Sequence, residues 1–288
     1  MYGHTDDVIL VGVDGSTDAA IAAAWALAIA RRSSSAVKAA AVWMERHRPS
    51  APAINGLASE IRTRTVDIAD QSLLDAGLAG IEVIAVRGPV AEALLDTADA
   101  LDASMLVVGT RGLGPLSGLL LGSISRRLLF TSQRPLVVVP RGSTLNPPVL
   151  SRVLVGFDCS AVAERVLSWS ATFCASLGVP ATIVRCADPG CEKPPGHVER
   201  IDEWARAEAE EALESFRDLG VDYSVVVAHC DPRVALIETA GATEADLIVI
   251  GRQGEGQFRG LGGTASYLVR HSPVPLAVIA GPAEAAVP

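Results

Sequence analysis

The chain has 288 residues, 49% of them apolar and 20% charged, with a formal net charge of −9. At about 150 residues per domain that length allows two ordinary globular domains with real cores. The acidic balance argues against general nucleic-acid binding, and the lack of any uncharged apolar run of about 18 residues argues against a membrane span.

The start, Met1-Tyr-Gly-His-Thr-Asp-Asp, is acidic and carries no cleavage pattern, so no signal peptide is expected and the chain reads as cytoplasmic. Short β-branched runs then alternate with longer Ala-rich or amphipathic stretches. Strands are expected near Val8–Val13, Ala36–Trp43, Ile81–Arg87, Met105–Val108 and Leu136–Val139. Helices are expected between them, near Thr17–Arg32, Leu57–Asp75, Val90–Leu101 and Ser123–Phe130. Gly142-Ser-Thr-Leu-Asn-Pro-Pro148 cannot continue a regular element, so a linker is placed at Arg141–Leu150. The second half repeats the alternation, with one charged helix expected near Val198–Leu219 and with Ile201, Ala205, Ala212 and Phe216 on its apolar face.

The halves are copies. Val8-Ile-Leu-Val-Gly-Val-Asp-Gly-Ser16 recurs as Arg152-Val-Leu-Val-Gly-Phe-Asp-Cys-Ser160, and Met105-Leu-Val-Val-Gly-Thr-Arg-Gly112 as Leu247-Ile-Val-Ile-Gly-Arg-Gln-Gly254. Arg134-Pro-Leu-Val-Val-Val139 recurs as Val274-Pro-Leu-Ala-Val-Ile279. Strands such as Met105–Val108 are apolar at successive positions, which means burial on both faces. Strand–helix–strand order with doubly covered strands implies two tandem α/β sandwiches, each on a five-stranded parallel sheet and together Rossmann-like, with domains at 1–144 and 145–288.

Ligands of open parallel sheets bind at the carboxyl ends of the strands, where strand order reverses. In the first half the first strand ends in Gly12-Val-Asp14-Gly-Ser16 and the third in Arg87-Gly88-Pro89. The fourth ends in Gly109-Thr-Arg-Gly112, followed after nine residues by Gly122-Ser123-Ile-Ser125 at a helix start. These residues describe a phosphate cradle without lysine. Gly109 and Gly112 let backbone approach a ligand. Gly122 and Ser123 offer free amides and a hydroxyl at a positive helix end. Ser125 adds a second hydroxyl, Arg111 a charge, and Asp14 an acceptor for ribose. Each feature alone also reads as turn and cap chemistry, with Ser123 or Asp14-Gly15-Ser16 simply capping helices; their convergence favours a site. The only lysines, Lys38 and Lys193, do not follow glycine, which excludes a G-K-[S/T] phosphate loop. His4, His47, His197, His229 and His271 have no catalytic spacing, and His271 is expected at a helix end. Trp25 and Trp169 hold matching first-helix positions and read as core. The five cysteines (Cys159, Cys174, Cys186, Cys191, Cys230) read as reduced and mostly buried, with no metal spacing.

The pattern G-x2-G-x9-G-[S/T], here Gly109 to Ser123, together with V-x-V-D-G-S at the first strand, resembles the universal stress proteins, twice over along the chain. That resemblance implies an adenine-nucleotide α-hydrolase-like fold binding ATP with Mg²⁺. It implies that Asp14 meets the ribose and that Gly12 and Val42 line the adenine and ribose pocket. Gly109, Gly112, Gly122, Ser123 and Ser125 would then hold the ribose and phosphates. A regulatory role in stress response or growth control follows, with ATP ordering the Leu113–Leu121 loop for a protein partner, and with a homodimer suggested by the family. The two lobes are further expected to pair through their last strands, Leu136–Val139 and Leu276–Ile279. The competing readings are a slow ATPase or nucleotidyl transferase, which no evident general base supports, and a nucleotide-free interaction module, which the Gly109–Ser123 motif disfavours.

The second half departs from the pattern. Gly156, Asp158, Gly251 and Gly254 are kept, but the next glycine pair is either Gly263-Thr264, after eight residues, or Gly262-Gly263, after seven. Cys230-Asp231 replaces Gly88-Pro89, and Asp231 is expected to put a carboxylate near the phosphate path. Residues 1–144 carry 13 basic and 14 acidic side chains, and residues 145–288 carry 11 and 19. Adenosine-like binding through Gly156, Asp158, Gly251, Gly254 and Gly263 is compatible with this; triphosphate binding is disfavoured.

Overall fold

The computed structural model describes residues 7–44, 54–112, 121–146, 149–160, 162–187, 197–254 and 261–281. Among them the chain divides into two units, Met1–Pro147 and Pro148–Pro288.

In the first unit β1 (Val8–Val13), α1 (Thr17–Ser33), β2 (Ala36–Trp43), α2 (Ile54–Asp75), β3 (Glu82–Arg87), α3 (Val90–Ala100), β4 (Met105–Gly109), α4 (Ser123–Thr131) and β5 (Leu136–Val139) alternate strictly. The strands pair in parallel in the order β3-β2-β1-β4-β5. The chain winds outward from β1 through β2 to β3, then crosses to β4 on the other side of β1. The carboxyl ends of β1 and β4 are therefore the switch point at which such sheets bind ligands. Every residue of β4 and β5 is buried, as helices on both faces require.

Helix α1 starts where the Ser16 hydroxyl accepts the Ala19 amide at 3.2 Å. It ends at Ser34, whose φ of 59° is left-handed, with Arg31 and Arg32 complementing the negative end of the dipole. All its alanines but Ala28 are buried, and so is Trp25, which is therefore a core residue.

The second unit repeats the order with β6 (Val153–Phe157), α5 (Ala163–Leu177), β7 (Ala181–Cys186), α6 (His197–Ala212), α7 (Glu214–Asp218), β8 (Tyr223–Ala228), α8 (Pro232–Ala242), β9 (Leu247–Gly251), α9 (Gly263–His271) and β10 (Leu276–Ile279). Its internal strand order is β8-β7-β6-β9-β10, again parallel.

Three expectations need correction. The single helix expected at Val198–Leu219 is two, broken at Leu213 with φ −92° and ψ 27°. The break lets Leu213 and Phe216 both reach the core, in line with Ala205 and Ala209, all four 0% exposed, while Ala212 is only half-buried. Trp169 is half-buried and stacks on Phe173 at 4.9 Å instead of entering the core as Trp25 does. Of the described cysteines only Cys174 is buried; Cys159, Cys186 and Cys230 are half-buried, and all four are free thiols. Cys191 lies outside the described residues.

Candidate functional site

The β1 exit is held by its own carboxylate. Asp14 Oδ1 accepts the Ser16 amide at 3.0 Å, an Asx turn that fixes the side chain just before α1. The β4 exit meets it from the neighbouring strand, because a β-carbon on Gly112 would collide with the Asp14 carboxylate. Gly109 is equally confined: a β-carbon there would lie 2.8 Å from the Asp18 carbonyl in the first turn of α1. Both glycines thus make room for the chain itself, and both also line the cavity described below. They bring β4 hard against the start of α1 and set Asp14 beside the fourth-strand loop.

Helix α4 closes the other side. Its N-cap is Gly122, with no side-chain cap, and Ser123 is its first helical residue, which removes the reading of Ser123 as a cap. The Gly122 amide is not free, because it donates to the Thr110 carbonyl at 2.7 Å. The Ser125 hydroxyl is buried and donates to the Gly109 carbonyl at 2.8 Å, so its proton serves the loop and not a ligand. What α4 offers instead is the first-turn amides of Ser123, Ile124 and Ser125, which have no carbonyl partner within the helix. They stand at the positive end of the dipole, where an anion is stabilised.

These groups surround one cavity of about 970 Å³. Gly12, Ala40, Val42 and Leu94 give it an apolar floor, and Asp14 lies on its β1 side. Gly109, Arg111, Gly112, Gly122, Ser123 and Ser125 line the part between β4 and α4. All nine first-lobe residues singled out from the sequence meet there. Two more were missed: Arg126 and Arg127, one turn into α4, also line the cavity. The signal was present in their spacing, since residues three and four after a helix start lie over its first turn. Arg127 forms an ion pair with Glu92 of α3. Of the Leu113–Leu121 loop, residues 113–120 lie outside the described residues.

The second lobe keeps the frame. Asp158 Oδ1 accepts the Ser160 amide at 3.1 Å, and a β-carbon on Gly254 would come 2.6 Å from its other oxygen. Gly156 sits 3.1–3.4 Å, measured from a notional β-carbon, from Ile250 and Leu236, as Gly12 sits against Leu94 and Val108. Helix α9 is capped by Gly262, whose amide donates to the Arg252 carbonyl at 2.8 Å. This is the bond Gly122 makes to Thr110, so Gly262-Gly263 matches Gly122-Ser123. The alternative match to Gly263-Thr264 is overturned, and Gly263 stands where the first lobe has a serine. Ala265 replaces Ser125, and Gln253, Ser266 and Tyr267 replace Arg111, Arg126 and Arg127.

Asp231 also differs from expectation. It caps α8, accepting the Arg233 amide and Nε, each at 2.8 Å. The Arg233 side chain, followed by its amide, holds that carboxyl down to about 2. Its charge is therefore spent on Arg233, and Arg233 in turn lies over the Tyr267 ring at 5.5 Å. Tyr267 stacks on His271, which is the last residue of α9, as its sequence position implied. In the place of Val42 stands Cys186, whose thiol is pushed up to about 11, chiefly by burial. It is a neutral group at physiological pH.

Comparison with known proteins agrees with this duplicated frame. The profile of the universal stress protein family matches residues 7–140 and again residues 150–280. A universal stress protein of Mycobacterium tuberculosis is 27% identical over 282 residues, covering 90% of this chain and 91% of its own. One from Mycolicibacterium smegmatis is 32% identical over 196 residues, 66% of this chain and 65% of its own. Among solved structures, a universal stress protein from Archaeoglobus fulgidus superposes with a TM-score of 0.67 at 19% identity, covering 97% of this chain and 100% of that one.

Proposed function

The chain belongs to the universal stress protein family, and from that premise we propose that its first lobe binds ATP and that the protein acts as a nucleotide-responsive regulator of stress response or growth. The observation that carries this reading is the single cavity in which an apolar floor, a fixed carboxylate, three arginines and the open first turn of α4 converge. An adenine fits the floor formed by Gly12, Ala40 and Val42. Asp14, already oriented by the Ser16 amide, accepts from ribose hydroxyls. The phosphates run toward α4, where the amides of Ser123 to Ser125 and the guanidinium groups of Arg111, Arg126 and Arg127 balance their charge.

Mg²⁺ enters this scheme with the nucleotide. Among the described residues no group of three or more His, Cys, Asp and Glu side chains could hold a metal ion. The phosphates themselves would supply most of its oxygen ligands, which is how Mg²⁺ is commonly bound beside a nucleotide. What the chain contributes is orientation and charge balance rather than a proton acceptor placed on a water.

The second lobe has the frame but neutral side chains where the first has cations, so it is a nucleoside-sized or empty counterpart. Acid release of nucleotide from the purified protein, followed by calorimetric titration of any protein found empty, tests the proposal. Recovery or uptake of about one ATP per chain is expected. Protein that neither retains nor takes up ATP would sink it.

A further inference from the structure

Arg127 occupies two settings at once. It lines the cavity, yet its guanidinium is ion-paired with Glu92 in the first turn of α3. Both partners are well exposed, 62% for Arg127 and 39% for Glu92, so solvent and salt leave the pair weak. A helical side chain leans back toward its own N-terminus, which carries Arg127 toward the open amides of Ser123 to Ser125. A phosphoryl group arriving there brings more charge than a carboxylate and oxygens spaced for a two-point grip on an arginine fork.

We infer that Arg127 is the residue through which the first lobe discriminates by phosphate charge, and that Glu92 is the counter-ion a phosphate must displace. The inference rests on the ATP reading of the same cavity and adds what sets its preference. A nucleoside fills the apolar floor and meets Asp14 but leaves Arg127 with Glu92. A triphosphate draws Arg127 across, and Glu92, left unpaired, opposes it. Glu92 therefore sets a threshold that weakly charged ligands do not cross.

The second lobe supports the pairing as one device. There the position of Arg127 is Tyr267 and that of Glu92 is Val234, so both members are absent together. The crossing of α8 and α9 is bridged instead by Arg233 over Tyr267, with Arg233 already neutralised by Asp231.

The test is calorimetric titration of the full chain with ATP and with adenosine, in the wild type, Glu92→Gln, Arg127→Ala, Arg127→Lys and the double variant Glu92→Gln/Arg127→Ala. The readout is the ratio of ATP to adenosine affinity. Arg127→Ala is expected to lower that ratio about tenfold. Glu92→Gln is expected to raise it about threefold. Arg127→Lys, which keeps charge without the fork, should fall between wild type and Arg127→Ala. The double variant should match Arg127→Ala, because without Arg127 the carboxylate has nothing to withhold. One common ratio in all five proteins overturns the inference while leaving ATP binding intact, as does a Glu92→Gln gain that persists without Arg127. A wild type that takes up neither ligand removes the ATP reading itself, and this inference with it.

Discussion

At the start of α4 the first lobe carries Arg126 and Arg127, which line one cavity together with Arg111; at the start of α9 the second carries Ser266 and Tyr267, with Gln253 in the place of Arg111. The backbone beneath is nearly the same. Each lobe caps that helix with a glycine whose amide returns to the loop after the fourth strand, at 2.7 Å in one and 2.8 Å in the other. Each holds an aspartate in the same Asx turn. The duplication has thus kept the parts that fold the chain and changed the parts that would meet charge. Frame and ligand chemistry separate because they use different atoms: the frame is made by backbone amides, carbonyls and absent β-carbons, and the ligand chemistry by side-chain tips.

The sharpest way to break this comparison is to exchange the tips. The triple substitution Arg111→Gln, Arg126→Ser and Arg127→Tyr gives the first lobe the second lobe's side chains. It should lower ATP affinity by roughly a hundredfold, about 2.7 kcal/mol, a conservative figure for three charge-assisted contacts. Titration with ATP checks it, and an unchanged affinity would mean that the arginines are surface decoration. The reverse graft into Gln253, Ser266 and Tyr267 should restore little, because the connection from Gly254 to Gly262 is two residues shorter than that from Gly112 to Gly122.

A smaller effect comes from the frame. Gly112→Ala would push the Asp14 carboxylate out of its place. ATP affinity should fall about tenfold, roughly 1.4 kcal/mol, with the melting temperature little changed because Asp14 is exposed and can move. Gly254→Ala displaces Asp158 in the same way but should leave the ATP titration of the whole chain within about twofold. Equal losses from the two glycines would defeat the asymmetry.

The smallest expected effect is on stability and belongs to the second lobe. Asp231 caps α8, whereas its counterpart Pro89 caps α3 with no side-chain bond. Asp231→Ala should cost about 1 kcal/mol at neutral pH. Because the folded carboxyl is held at about 2, below its ordinary 3.8, the wild type has this stability above the ordinary value and loses it as pH falls toward about 2. Thermal melts of wild type and variant should differ at pH 7, and the difference should shrink as pH falls from about 4 through about 2, vanishing only below that. A constant difference across that range would show that the aspartate acts only through shape.

Much of this was legible along the chain. The limits of β1, β2 and β5 are those that the sequence runs announce, and in β5 every residue is buried, as a strand covered on both faces requires. All nine first-lobe residues named from spacing and resemblance line one cavity; they could be named because they converge at the carboxyl ends of neighbouring strands, although each alone reads as turn or cap chemistry. The role of several of them was not legible. Nothing in Gly109 says that its missing side chain faces Asp18, and nothing in Ser125 says that its proton is taken by the Gly109 carbonyl. Those partners are 91 and 16 residues away, and only packing brings them near. The break at Leu213 was hidden for a related reason: an amphipathic pattern continues through a kink when both sides of it bury the same face.

The arithmetic of length, repeat and charge determined by itself that there are two copies of one α/β unit and that the second is the more acidic, because periodicity and composition are properties of the chain. Which glycine pair in the second lobe matches Gly122-Ser123, that Asp231 is neutralised by Arg233, and that Arg126 and Arg127 face the same cavity as Asp14 were decided only in three dimensions. A hydrogen bond or an ion pair depends on distances of about 3 Å, and the fold alone sets those.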